Sequence, residues 1–201
     1  MEVVKVNGIV REGLGKVATK ANRKSETIPC VLYGGNENVH FTTTWSEVRH
    51  LIYTPDFKAA ELTVGGTTTK AILKEVQFHP ATEQIMHIDF LRLTPNTPIK
   101  VSIPLTLRGT SPGVKAGGKL IQSVRKVKVK CMPEVLVDEL FLDISKLELG
   151  QTARVREIDP VAGIEMMMPP AVPVVLIEIP RALRSAAAAD AKAAAGAAKK
   201  K

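Results

Sequence analysis

Gln77-Phe78-His79-Pro80-Ala81-Thr82-Glu83-Gln84-Ile85-Met86-His87-Ile88-Asp89-Phe90 (residues 77–90) is the stretch whose reading decides this chain. It reads as two strands joined by a turn. Residues 67 to 79 alternate well enough for a strand, and Pro80 ends the ladder because it has no N–H to donate. From Gln84 the alternation resumes, with Ile85, His87 and Asp89 on one face and Met86, Ile88 and Phe90 on the other. That phase sets His87 beside Asp89 and lets His79 approach both across the hairpin. Two imidazoles and a carboxylate on one surface point to a binding site or to a metal site.

Working outward toward the N-terminus, Ala59 to Val64, the turn Gly65-Gly66 and Thr67 onward carry a hairpin signature. Thr44 is a hydroxyl N-cap candidate with Glu47 three residues later, a capping-box spacing that opens a short helix. Trp45, Val48, Leu51 and Ile52 fall on one face of that helix, expected to pack in the core, with His50 outside. Val39 to Thr44 and Ile28 to Tyr33 read as further strands, and Tyr33 leaves its strand where its hydroxyl can meet solvent or a partner. Residues 2–12 read as a first strand, bulged at Gly8. Between them Gly13 to Lys24 is glycine-punctuated and basic, a loop with at most a short helix from about Val17 to Lys24. About six strands and one or two helices over residues 1–94 suffice for a small closed sheet.

Thr94-Pro95-Asn96-Thr97-Pro98 is a proline-rich break and the expected domain boundary. Beyond it the chain stays strand-rich, and residues 95–184 read as a second, antiparallel β domain. There Lys126, Lys128 and Lys130 alternate with Val127, Val129 and Cys131, which makes one face core and the other a row of cations about 7 Å apart. Residues 185–201 are almost all Ala and Lys and are expected to form a disordered basic tail.

Composition narrows the function. The 201 residues carry a net charge of +8, which favours a polyanionic partner. The charge is segregated: residues 96–133 hold 8 Lys and Arg and 0 Asp and Glu, whereas 134–184 hold 5 against 9. Cys30 and Cys131 are far apart in sequence and fit a reduced, cytoplasmic protein. No run of about 20 apolar residues exists, and Met1 to Lys5 open no secretory signal, so neither a membrane nor export is expected. Neither the phosphate-cradling G-x-x-x-x-G-K-[ST] nor a G-x-G-x-x-G occurs in the sequence.

Two uses of the hairpin residues stand against each other. His79, His87 and Asp89 could ligate zinc or iron in a metal-dependent enzyme, although the sequence offers nothing else to build a pocket. Alternatively His87 and Asp89 read base edges while neighbouring cations hold phosphates, since Asp accepts from cytosine or guanine amino groups. His87 and Asp89 pairing only with each other is the plain structural reading. A third class, a stress-linked module whose acidic 134–184 segment binds protein, is compatible with either.

The combination of Gly15-Lys16, Ile28-Pro29-Cys30-Val31-Leu32-Tyr33-Gly34, Gln77-Phe78-His79-Pro80 and His87-Ile88-Asp89-Phe90 closely resembles the bacterial large-subunit ribosomal protein family L twenty-five. The resemblance is to its long form, also called the general stress protein Ctc, and covers nearly the whole chain. It implies an N-terminal β-barrel that binds 5S ribosomal RNA at loop E, a non-Watson–Crick internal loop whose shallow groove is open to reading. It also implies a β-rich C-terminal domain, membership of the large ribosomal subunit in the cytoplasm, no catalysis, no cofactor and no small-molecule substrate. By position, Arg11, Lys16, Lys20, Arg23 and Tyr33 match backbone-contacting or groove-lining residues, and His79, His87 and Asp89 the base-reading cluster. Ala21 and Asn22 interrupt what is usually a more arginine-rich run, so Lys20 and Arg23 depart from the pattern. Lys126, Lys128 and Lys130 are candidates for a second contact, with 23S RNA or a neighbouring ribosomal protein.

Overall fold

The computed structural model describes residues 2–35 and 37–181, so the expected tail at 185–201 lies outside the described residues. The protein is mainly β. Its first six strands are β1 (Val3–Val10), β2 (Thr27–Tyr33), β3 (Val39–Thr44), β4 (Ala59–Val64), β5 (Thr67–Phe78) and β6 (Ile85–Arg92). They close into a barrel of order β1-β3-β2-β6-β5-β4, in which β1 with β4 and β2 with β6 run parallel and the other pairs antiparallel. Period-two alternation sends Val6, Ile28, Cys30, Leu32, Phe41, Leu62, Ile88 and Phe90 inward, and the Phe41 and Phe90 rings meet 5.8 Å apart at the centre. Closure leaves this sheet no free edge.

Gly8 serves packing, not a bulge. The register from Val3↔Ala59 to Gly8↔Val64 runs without a step, and a Cβ at Gly8 would lie 2.4 Å from the Phe41 ring. Helix α2 (Trp45–Ile52) adds Val48 and Leu51 to the barrel core. Two expectations about this helix fail. Thr44 makes no side-chain cap; Glu47 reaches away to accept from the Asn7 backbone N–H at 3.1 Å, a group β1 does not pair with β3 until Ile9. Trp45, at the first helical position, is 49% exposed instead of buried, because Val48 and Leu51 already fill the inward face.

The proline-rich break falls between β6 and β7 (Ile99–Arg108). The remaining strands are β8 (Lys119–Gln122), β9 (Lys126–Cys131), β10 (Leu140–Asp143), β11 (Thr152–Arg154), β12 (Ile164–Met166) and β13 (Pro173–Glu178). They form a four-stranded sheet, β10-β7-β9-β12, and a three-stranded sheet, β11-β13-β8. The three-stranded sheet is antiparallel, but β10 runs parallel to β7, so the region is not antiparallel throughout. Ile99, Val101, Ile103 and Leu105 of β7 and Val127, Val129 and Cys131 of β9 are buried, which is the predicted core face. Contacts group the chain into two compact units, 1–104 with 129–139 and 162–165, and 105–128 with 140–161 and 166 onward.

Candidate nucleic-acid interface

The outer surface of β3, β2, β6 and β5 carries the polar hairpin residues. Register places His40, Val31, Asp89 and Glu75 in one row across these four strands, because residues paired directly across a sheet share a face. Along β6 the next outward residue is His87, opposite Gln77. His87 Nδ1 stands 2.7 Å from Asp89 Oδ1, both side chains about a quarter exposed at 27% and 28%. With Nδ1–H donating to the carboxylate, Nε2 is left as an acceptor in the neutral ring and a donor in the charged one. The pair therefore presents an imidazole nitrogen and a second carboxylate oxygen side by side. Tyr33 belongs to the same patch: burial raises its phenol above the ordinary range, and the carboxylates of Asp89 and then Glu75 push it further.

His79 is not brought to this pair, contrary to the expected three-residue cluster. A bulge at Gln77/Phe78 moves the register, so Phe78 pairs with Ile85 and the His79 N–H donates to Gln84 O. The ring folds back on its own turn, where Nδ1 accepts from the N–H groups of Ala81 and Thr82, both at 3.2 Å. The same bulge explains why Ile85 is buried rather than sharing the outward face of His87. A metal triad of His79, His87 and Asp89 is thereby removed, and among the described residues no three His, Cys, Asp or Glu side chains are grouped to hold a metal ion.

The basic segment holds the expected short helix, α1 (Lys16–Lys24), which starts one residue before Val17 and buries no residue. Lys16 and Lys20, one turn apart, are exposed. The arginines have protein partners. Arg11 Nη2 donates to Gly13 O at 3.1 Å and Thr19 Oγ1 at 3.3 Å, bracing the start of α1. Arg23 donates through Nε and Nη2 to Met86 O at 3.2 and 3.1 Å, tying the end of α1 to β6 at the residue before His87. Ser25 closes the helix by donating to Asn22 O at 2.9 Å.

His40 and Glu75 were missed from the sequence. The signal was present, because Val39 and Phe41 alternate with His40 and the β3–β2–β6 order then aligns it with Asp89; strand order is what the sequence did not disclose. Lys126 and Lys128 lie on the outer face of β9 and are exposed, whereas Lys130 is paired with Glu165 at 3.5 Å.

Residues 6–90 match the model of the Ribosomal L25p family, and residues 98–181 match that of the ribosomal protein TL5 C-terminal domain. A large ribosomal subunit protein bL25 of Porphyromonas gingivalis is 44% identical over 189 residues, which is 93% of this chain and 98% of that protein. The bL25 of Phocaeicola vulgatus is 38% identical over 96% of this chain and all of its own length. The chain belongs to the ribosomal L25p family. Its bL25 relative from Cytophaga hutchinsonii, 39% identical over 192 residues, likewise spans both regions. Membership makes this L25p-family chain a structural protein of the large ribosomal subunit and not an enzyme.

Proposed function

We propose that the barrel binds 5S ribosomal RNA at loop E, with the outer face of β2, β6 and β5 against the shallow groove and α1 along the phosphates. The His87–Asp89 pair at 2.7 Å carries this reading. An acidic group on a surface that meets RNA is repelled by phosphates, so it is useful only where it accepts from a base amino group or a ribose 2′-OH. His87 fixes the carboxylate for that task. Lys16 and Lys20 supply charge to the backbone, Arg11 and Arg23 hold α1 in place beside the pair, Tyr33 lines the groove, and His79 shapes the turn at the hairpin's end. The protein acts within the ribosome, in the cytoplasm. Lys126 and Lys128, with Lys130 behind them, make a second contact with RNA or a neighbouring ribosomal protein.

The test is binding of loop-E RNA and base-substituted variants to Asp89→Asn and His87→Ala proteins. Each loses affinity by about 5- to 100-fold and discriminates less among the RNA variants, as expected for one lost base contact. Unchanged affinity and unchanged preference in Asp89→Asn would remove the base-reading role.

A further inference from the structure

Beside the hairpin turn lies a cleft of about 410 Å³ that none of the roles above uses. Its walls include Trp45 and Tyr53, which are 49% and 59% exposed. Because the two rings adjoin, they make one exposed apolar patch, the kind of surface that marks an interaction site. The two rings form a tilted pair, centroids 6.4 Å apart at 54°, and the Arg49 guanidinium lies over the Trp45 ring 5.7 Å from its centre, leaving the Tyr53 ring and one Trp45 face for a partner. Three further lining residues are charged. Arg23 lines the cleft with its guanidinium already anchored to Met86 O, so it is a fixed planar cation. Glu26 and Glu83 also line it, and both have left-handed backbones, φ 59° and 54°, where glycine would be the cheaper residue.

This chemistry selects its occupant. An exposed aromatic face beside a fixed guanidinium plane accepts a flat ring by stacking. Two carboxylates reject a phosphate but accept from exocyclic and ring N–H groups of a base. The position adjoins the proposed RNA face, because Arg23 in the last turn of α1 is bonded to the Met86 carbonyl, one residue before His87 on β6. We infer that this cleft receives one unpaired nucleobase from RNA flanking the segment held by His87 and Asp89. The inference rests on the RNA-binding reading and adds to it a site on the other side of Arg23, where the sequence indicated only core packing for Trp45.

Trp45 is the chain's only tryptophan, so its emission reports the cleft directly. The whole chain is titrated with a 5S RNA fragment spanning loop E and its flanks, with single-stranded pentanucleotides, and with a lysine-rich peptide. The expected result is saturable quenching of Trp45 by the fragment. Trp45→Ala and Tyr53→Ala each bind it about 5- to 100-fold more weakly, and Trp45→Phe, which keeps a ring, retains most of the affinity. Tight binding of the fragment with unquenched Trp45 and undiminished affinity in both alanine variants overturns the cleft site and leaves the loop-E reading standing. Quenching by pentanucleotides in a protein that fails to bind loop E supports the cleft and rejects the loop-E reading. Quenching by the peptide alone assigns the cleft to a protein segment and overturns the proposal, as does the absence of quenching by any RNA.

Discussion

His79 and His87 belong to one hairpin and use the same ring nitrogen in opposite ways. In His87, Nδ1 carries the proton that Asp89 accepts; in His79, Nδ1 is the acceptor for two backbone N–H groups, which requires the proton on Nε2. Replacing His79 with Ala leaves the Ala81 and Thr82 amides without that acceptor. Both amides are exposed and water can replace the ring, so the expected cost is only about 0.5–1 kcal/mol in chemical denaturation, with faster hydrogen exchange at those two amides. His79→Asn restores a short side-chain acceptor suited to a turn and recovers part of the loss. Tyr33 gives a second residue-scale outcome. Its phenol is held above the usual tyrosine value of 10.0 by burial first, then by Asp89 and Glu75. A raised pKa means that the folded state keeps the proton longer, so this contribution to stability is complete below about pH 10 and is lost as pH rises through the folded value. Tyr33→Phe should flatten the alkaline fall in stability, and the phenolate absorbance it removes should be the part appearing above pH 10.

At the scale of elements, α1 is the least self-sufficient part of the barrel unit. A nine-residue helix with no buried residue has little stability of its own, and here arginine bridges replace core packing. Lys16→Ala should therefore remove one phosphate contact, lowering the salt slope of RNA binding by about 0.7–0.9 without altering preference. Arg23→Ala should weaken binding more than Lys16→Ala and accelerate amide exchange throughout α1, because it frees the helix from β6 as well as removing a charge. If both variants lose the same affinity and α1 exchange is unmoved, Arg23 is only a charge. The strands were legible because a closed barrel imposes period two on most of their length, although β5 breaks its alternation at Leu73/Glu75 as well as at Gln77/Phe78. What escaped was set by contacts distant in sequence. Glu47 left its capping position for Asn7 on β1, Gly8 answers to the Phe41 ring and not to a bulge, and the ring of His79 chose its own turn over the pair across the hairpin. Trp45 had the spacing of a core residue, but which residues of a helix fill a barrel end depends on how the helix meets it.

For the whole molecule, the distribution of charge sets the last prediction. The RNA-reading face proposed for the barrel carries Asp89 and Glu75, so net attraction must come from α1 and from cations elsewhere in the chain. Residues 96–133 supply 8 cations and 0 carboxylates, with Lys126 and Lys128 exposed on the outer face of β9 and Lys130 engaged by Glu165. If β9 meets the same RNA, the whole chain displaces more counterions than a fragment of residues 1–98, which ends before β7 begins. Two added phosphate contacts steepen the slope of log K against log salt by about 1.4–1.8. Equal base preference in the two proteins is expected, because the His87–Asp89 pair is present in both. Lys126→Ala with Lys128→Ala in the whole chain should then return its slope to the fragment's value, while Lys130→Ala changes it least because its charge is already partly met. Identical slopes for whole chain and fragment would instead assign the β9 lysines to a neighbouring protein, and the comparison would then be repeated on assembled large subunits by protection of those lysines from acetylation.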